Sequence, residues 1–247
     1  MKFLQMIEEY EAGPWRRLRT GDRYSRMARR ILELQGDEVD PVALTEQLRA
    51  EGLKAATVNK YLTVLDGMDF KVKYLSPDKV NHRVFSEAEL EALDTRVRAM
   101  PTEKWGIYQA LYAILRDTGC RGISELSRMD WGEVDWDGST FVLRSFKGRR
   151  DTPWKRIVPL SGTAWDALAW LFHNGYALEF SPDRWNYFWR QVRLDKGMRP
   201  YDLRHTFCTR LLTLGVDPTT VMQIMGHTNL QQTLEYHHQT EDALSVA

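Results

Sequence analysis

The sequence predicts a mainly α-helical protein with a small β-sheet, an α+β chain of two domains. Apolar residues recur at helical spacing through most of the chain, whereas 130–160 changes to a strand-like pattern. A stretch at about 74–84 has no amphipathic period and contains Pro77. We expect a linker there, dividing a helical domain at 1–80 from a larger domain at 81–247.

In the first domain, a helix is expected over Arg16–Leu34 from its apolar spacing. Asp40 followed by Pro41 predicts the start of a second helix, because aspartate caps a helix N-terminus and proline suits its first turn. A third helix is expected over Thr57–Leu65, ending at Gly67.

The second domain begins with a capping box, in which Ser86 and Glu89 open a helix over Ser86–Met100. A strongly apolar helix follows at Trp105–Asp117 and ends at Gly119. Two strands joined by a basic turn are then predicted around 141–143 and 157–160. The remaining helical patterns lie at 163–173, 182–195, 203–214, 218–225 and 229–236.

The composition is that of a globular protein: of 247 residues, 43% are apolar and 28% are charged. This excludes disordered and collagen-like classes. Cys120 and Cys208 are too few for a secreted disulfide scaffold, so we expect buried free thiols. No run approaches the ~18 apolar residues of a membrane span, and the N-terminus has no signal-peptide core. The sequence predicts a cytoplasmic protein without membrane contact.

The charge is balanced overall, with 34 basic and 34 acidic residues, but its distribution is uneven. Seven arginines and one acid lie between Arg16 and Arg30, and six basic residues and one acid lie between Arg144 and Arg156. Two such segments favour two patches that meet one polyanion. Two solvated faces remain the alternative.

Four segments carry candidate chemistry, and in chain order they supply an arginine, a lysine, an arginine with a histidine, and a histidine with a tyrosine nine residues later. They are Thr118–Leu126, Phe146–Leu160, Tyr201–Phe207 and Gly226–Tyr236. Two guanidinium groups can clamp a phosphodiester and stabilise its transition state. Lysine can protonate a leaving oxygen, histidine can bind the phosphate or accept a proton, and tyrosine can act as a covalent nucleophile. Such a site needs positive charge to favour the phenolate, but no metal.

The motifs resemble those of the tyrosine recombinases, or phage-type integrases: Gly-x-Arg followed by Glu-Leu, then Leu-Arg-His-Thr, then Gly-His with Thr and Tyr at fixed distances. The resemblance is clear over about 85–238 and weaker over 1–80. It implies a site-specific recombinase that cuts and rejoins DNA through a 3′-phosphotyrosyl intermediate. The site residues that it implies are Arg121, Lys147, Tyr201, Arg204, His227 and the nucleophile Tyr236.

The resemblance also implies a catalytic domain preceded by a helical core-binding domain, both clamped around double-stranded DNA. A tetramer on DNA, a mobile-element or resolution role, and action at the nucleoid of a prokaryotic or phage-infected cell would follow, with no cofactor and no metal. A metal pair at His237 and His238 is not expected, because adjacent helical residues point apart. The expected DNA-binding residues are Arg16, Arg17, Arg19, Arg23, Arg26, Arg30, Arg149 and Arg150.

Three features depart from the family pattern. Tyr201 stands where the family usually has histidine, and a phenol is a poor general base at pH 7. Glu125 lies four residues after Arg121, where the family commonly has an acid at three, with Gly122 as the extra residue. The basic turn is long, so Lys155 rivals Lys147 as the catalytic lysine.

Two other functions stay open from the sequence. One is a catalytically weakened DNA-binding protein of the same fold, which Tyr201 suggests. The other is a type IB topoisomerase-like enzyme with the same chemistry on non-specific DNA. Taken singly, each site residue could be structural; His205, next to Arg204, is expected to support the site from below by hydrogen bonding.

Overall fold

The computed structural model describes residues 2–18, 20–76, 82–145 and 154–236. Several predicted residues lie outside these ranges, namely Arg19, Lys147, Arg149, Arg150, His237 and His238. The chain forms two compact units, Met1–Asn81 and His82–Ala247. The middle of the expected linker also falls outside the described residues, and its flanks at 71–76 and 82–86 are neither helix nor strand.

The first unit is helical. Its helices are α1 (Phe3–Ala12), α2 (Gly21–Gln35), α3 (Pro41–Ala50) and α4 (Ala55–Asp66). The single helix expected over Arg16–Leu34 is wrong at its start, where a 3₁₀ turn at Trp15–Arg17 precedes α2. The reason is packing: the buried Trp15 ring contacts the rings of Tyr10 and Tyr24, with centroids 5.3 and 6.1 Å away, and the chain bends around it.

The second unit is mostly helical, with one small sheet. Its elements are α5 (Glu87–Arg98), α6 (Thr102–Thr118), α7 (Ile123–Leu126), β1 (Val134–Asp135), β2 (Thr140–Ser145), β3 (Trp154–Pro159), α8 (Gly162–His173), α9 (Pro182–Val192), α10 (Asp202–Thr213) and α11 (Pro218–Met225). A further helical segment covers 231–236. The α+β prediction is therefore confirmed. Helix α6 packs against α8, α9 and α10 and forms the centre of this unit.

The predicted helix starts agree with local hydrogen bonding. The Asp40 carboxylate accepts the Val42 N–H at 2.9 Å, and Ser86 and Glu89 form the expected capping box. Capping uses groups within a few residues of each other, which is why the sequence alone predicts it. The two cysteines are buried free thiols, as expected.

The sheet is antiparallel in the order β1-β2-β3. Phe141 on β2 lies opposite Val134 on β1 and Val158 on β3, and Phe141 and Val158 are fully buried. Strand β1 was not predicted, since a two-residue strand carries no measurable period. Across the described ranges, no helix has the length and apolar character needed to cross a membrane.

Candidate active site

Arg204 ties together the ends of two helices. It lies in the first turn of α10 and is 2% exposed. One guanidinium nitrogen donates to the Gly119 carbonyl at the end of α6, and another donates to the Met225 carbonyl at the end of α11, 2.5 Å away. The last carbonyls of a helix have no partner within it. The guanidinium supplies that partner for both helices, which fixes its own position.

Both helices end in a left-handed glycine, and the sequence predicted the end of α6 at Gly119. Gly119 and Gly226 have φ of 62° and 66°. A Cβ at Gly119 would lie 2.7 Å from the Phe207 ring, and one at Gly226 would lie 2.6 Å from the Trp154 ring. Glycine is therefore required twice over, for its backbone angle and for space.

Arg121 follows Gly119 by two residues and is held by two elements. Its backbone N–H donates to Glu125 at 2.7 Å, and its guanidinium donates to Glu125 at 3.2 Å and to the Gly226 carbonyl at 2.5 Å. The extra residue, Gly122, precedes the short helix α7, and Glu125 within α7 still reaches Arg121. The four-residue spacing between Arg121 and Glu125 therefore still lets Glu125 hold Arg121 in place.

Arg156 is a central residue of this site that sequence reasoning did not select. It is 5% exposed on β3 and donates two hydrogen bonds to the Glu125 carboxylate, at 2.6 and 2.9 Å. Burial by itself raises the pKa of Glu125, but the charge and hydrogen bonds of Arg156 and Arg121 outweigh it, and the net pKa is lowered. The position of Arg156 in the second basic segment was the available sequence signal. Its partner Glu125, 31 residues away, was not predictable.

The site carries a surplus of positive charge. Arg121 and Arg156 both contact the Glu125 carboxylate, and Arg204 lies beside them, bonded to two helix-end carbonyls. Burial lowers the pKa of Arg204, and the positive charges of Arg121 and Arg156 lower it further. Three guanidinium groups in a partly desolvated site match a phosphodiester and the extra negative charge of its transition state.

His227 lies directly after Gly226, beside these arginines. Its Nδ1 is 2.8 Å from the Thr233 hydroxyl, and its ring is parallel to that of Tyr236 with centroids 6.0 Å apart. Burial lowers its pKa to about 3, and the charges of Arg204 and Arg121 contribute in the same direction. The imidazole is therefore neutral at pH 7, so it can serve as a hydrogen-bonding group rather than as a cation.

Tyr236 ends the described helical segment and is 6% exposed. Its ring packs in a small apolar cluster with Cys208, Leu212 and Met225. Its hydroxyl lies 2.6 Å from Nδ1 of His205. The arginines were expected to favour the phenolate, but burial raises the pKa of Tyr236 and outweighs the opposing effect of Arg204. In this arrangement the phenol is therefore protonated at pH 7.

His205 was expected to be structural, yet it contacts the predicted nucleophile directly. Tyr201, which is 43% exposed, meets the His205 ring edge-on at 5.0 Å. The His82 ring stacks on both residues, with its centroid 4.0 Å from that of His205 and 5.5 Å from that of Tyr236. Nothing in the local sequence of His82 indicated this, because it precedes the first helix of the unit and lies far along the chain from its contacts.

Three of the six basic residues of the second basic segment are described, and each of them pairs with an acid. Lys155 and Arg144 pair with Glu133 at 2.8 and 2.7 Å, and Arg156 pairs with Glu125. Acids distant in sequence neutralise these cations. Lys155 is 55% exposed. Its rival Lys147, together with Arg149 and Arg150, lies outside the described residues, so the choice of lysine stays a prediction.

In the first unit, the predicted DNA-binding arginines that are described all lie on the surface. They are Arg16, Arg17, Arg23, Arg26 and Arg30. Arg30 pairs with Glu33 and Glu51 at 3.3 and 3.5 Å, while its neighbour Arg29 pairs with Glu11 at 2.6 Å. The end of this arginine-rich segment is thus partly neutralised within the protein.

Comparison with known proteins agrees with this geometry. Residues 83–242 match the model of the phage integrase family. The tyrosine recombinase XerA of Thermococcus onnurineus is 27% identical over 270 residues, covering 98% of this chain and 94% of that protein. A Tn1549 transposon integrase in complex with transposon right end DNA has the same fold, with a TM-score of 0.69, 18% identity, and coverage of 96% of this chain and 94% of that one.

A second solved structure is similar over most of the chain. It is the XerH site-specific recombinase bound to a palindromic difH substrate, with a TM-score of 0.63, 18% identity, and coverage of 90% of this chain and 77% of that one. The family match extends over more than half of the sequence and includes the site residues described above except His82: Arg121, Glu125, Arg156, Arg204, His205, His227 and Tyr236. The chain belongs to the phage integrase family, the tyrosine recombinases.

Proposed function

We propose that this protein is a site-specific DNA recombinase that breaks and rejoins DNA through a phosphotyrosyl bond to Tyr236. One observation carries the proposal: at the left-handed end of α11, Arg204 donates to the Met225 carbonyl, and the rings of His227 and Tyr236 stack on each other. A nucleophile, a neutral hydrogen-bonding group and surplus positive charge then lie around a single place for a phosphate.

The roles of the site residues follow from their chemistry. Arg121 and Arg204 bind the non-bridging oxygens of the scissile phosphate, each held in place by helix-end carbonyls. His227 donates a further hydrogen bond through Nε2 if Thr233 donates to Nδ1. Tyr201, exposed at the start of α10, contacts the phosphate through its hydroxyl. Lys147 protonates the leaving 5′-oxygen.

The first unit serves as the core-binding domain of the clamp. Its exposed arginines contact backbone phosphates of double-stranded DNA, foremost Arg16, Arg17, Arg23 and Arg26, together with Arg30. Arg19 of the same segment, and Arg149 and Arg150 of the second basic segment, complete the proposed set. Four subunits assemble on two DNA sites to exchange strands, in the integration, excision or resolution of a mobile or circular element. The reaction takes place in the cytoplasm, on nucleoid DNA. That two similar folds were solved as DNA complexes supports the choice of partner.

A covalent-adduct experiment tests the proposal. Supercoiled plasmid carrying the native DNA that flanks the gene is mixed with the protein, quenched with detergent, and run on a denaturing gel. We expect wild type to form a protein–DNA adduct and Tyr236→Phe to form none. Tyr187→Phe, in which an exposed tyrosine of α9 loses the same hydroxyl, is the matched control and should behave as wild type.

Binding is measured in parallel by gel shift without detergent. Retained binding together with loss of the adduct in Tyr236→Phe identifies the nucleophile and supplies the cleavage position. Binding without an adduct in wild type would refute the enzymatic proposal. An adduct at random positions, in place of one mapped site, would refute site specificity.

A further inference from the structure

Tyr236 needs a proton acceptor, and the residue that the family pattern would supply is absent. Burial raises the pKa of the phenol, so it is protonated at pH 7. Tyr201 occupies the position at which a histidine is usual, and a second phenol cannot accept the proton near neutral pH. Three imidazoles lie near Tyr236 among the described residues, those of His82, His205 and His227, and they differ in what they contact.

His205 makes the direct contact with the reacting atom. Its Nδ1 lies 2.6 Å from the Tyr236 hydroxyl oxygen, which is a short hydrogen bond. His227 instead directs its Nδ1 to Thr233 and faces the Tyr236 ring in parallel. Among the described histidines of the site, His205 therefore has the geometry of a proton acceptor.

The His205 ring is held by its neighbours. His82 stacks on it at 4.0 Å with an angle of 26° between the ring planes, and Tyr201 meets it edge-on. The His82 ring also stacks on the Tyr236 ring, with centroids 5.5 Å apart and an angle of 20° between the ring planes. A stacked ring in contact with both partners restricts the rotation of each, which preserves the alignment of their hydrogen bond.

We propose that His205 is the catalytic residue that accepts the phenolic proton of Tyr236, and that His82 is the positioning residue that keeps the His205 ring aligned. This rests on the proposed function and adds to it the identity of the base. The tautomer is thereby fixed: Nδ1 has a lone pair and the proton is on Nε2.

The step balances as a phosphoryl transfer. The proton of the Tyr236 hydroxyl moves to Nδ1 of His205, the phenolic oxygen forms a bond to phosphorus, and the bond from phosphorus to the 5′-oxygen breaks. Lys147, as proposed above, gives its proton to the 5′-oxygen. Religation runs the same transfers in reverse, and His205 returns the proton to the phenol.

The charges around His205 are compatible with a neutral base. Burial lowers its pKa to about 4, and His82, Arg204 and Arg199 lower it further while Asp202 opposes them. Within the described ranges, the titratable and charged groups near it include His82, Arg199, Tyr201, Asp202, Arg204, His227 and Tyr236. At pH 7 the ring is therefore available to accept a proton.

The first test needs no DNA. Nitrogen NMR of ¹⁵N-histidine-labelled full-length protein at pH 7 reports which ring nitrogen is protonated, and His205→Gln assigns the signal. We expect an unprotonated Nδ1 on His205, and a change in that signal in Tyr236→Phe. A protonated Nδ1, or a signal that does not respond to Tyr236→Phe, overturns the proposal even if the protein proves to be a recombinase.

The second test measures adduct formation at the mapped site with two substrates, one normal and one with sulfur at the bridging 5′ position. A thiolate leaves without a proton, so the sulfur substrate should rescue Lys147→Ala but not His205→Gln. We expect His205→Gln to be slower by about 10²–10⁴-fold on both substrates. An unchanged rate, or rescue by sulfur, overturns the assignment, whereas no adduct with wild type refutes the proposed function instead.

The role of His82 is tested by a pair of variants. His82→Ala removes the stacked ring, and we expect a several-fold slower adduct formation and a shifted His205 nitrogen signal. His82→Phe restores a ring that cannot titrate, and it should recover most of the lost rate. Equal rates for His82→Ala and wild type, or no recovery with phenylalanine, would exclude a positioning role through stacking.

Discussion

Replacing Glu125 with glutamine should destabilise the catalytic unit strongly. Glu125 is 3% exposed and is the single carboxylate shared by Arg121 and Arg156, with its closest contact at 2.6 Å. Glutamine keeps the shape but removes the negative charge that both guanidinium groups contact. Removing one partner of a buried ion pair costs about 3–5 kcal/mol. For a unit of this size, the melting temperature should fall by about 6–20 °C.

Thermal unfolding followed by circular dichroism measures the effect on the full chain. Glu87→Gln is the matched control, because Glu87 is 73% exposed and pairs with Arg210 at the surface at 3.2 Å. Its melting temperature should change by about 4 °C or less, since exposed pairs contribute roughly 0–1 kcal/mol. Equal shifts for the two variants would refute the reasoning that Glu125 balances a buried cation cluster.

The pH dependence gives a second readout of the same prediction. The pKa of Glu125 is lowered on folding, so its stabilising effect is present above its unfolded pKa and is lost as the pH falls through the lowered folded value. The difference in unfolding free energy between wild type and Glu125→Gln should therefore be constant near neutrality and should decrease in acid below about pH 4. A difference that increases in acid would contradict this assignment.

Three further predictions follow from the same geometry. Gly226→Ala should lower stability by about 1–3 kcal/mol, since a Cβ would lie 2.6 Å from the Trp154 ring at a φ of 66°; denaturant unfolding measures it. Arg204→Lys keeps the charge but cannot hold both helix-end carbonyls, so adduct formation should slow by about 10²–10³-fold in a gel assay. The double variant Arg16→Ala with Arg17→Ala should reduce the slope of log affinity against log salt by about 1.8, measured by fluorescence anisotropy; an unchanged slope would remove these residues from the DNA interface.

The parts of the fold that the sequence predicted are those set by local interactions. The caps at Asp40 and Ser86, and the helix end at Gly119, depend on groups within one helical turn. Their residue types leave few alternatives. Strand β1 escaped prediction because its two residues are held by pairing with β2, which the local pattern does not encode.

The site was predictable in its residue types and order, but not in its supporting contacts. Arg156 and Glu125 are 31 residues apart and pair only because α7 packs against β2, the strand that pairs with β3. The same lack of a local signal hid His82, which reaches His205 over a separation of more than a hundred residues. The pairing of Arg144 and Lys155 with Glu133 was hidden for the same reason, because Glu133 lies outside the basic run.

The central claim is that Tyr236 becomes covalently joined to DNA, and peptide mass spectrometry of the adduct tests it most directly. Trypsin cuts after Arg210, and the resulting peptide from Leu211 onward contains Tyr236 as its one tyrosine within the sequence to residue 247. After nuclease trimming, that peptide should carry a nucleotide 3′-phosphate on Tyr236. A nucleotide on any other peptide, or an adduct that persists in Tyr236→Phe, would contradict the account.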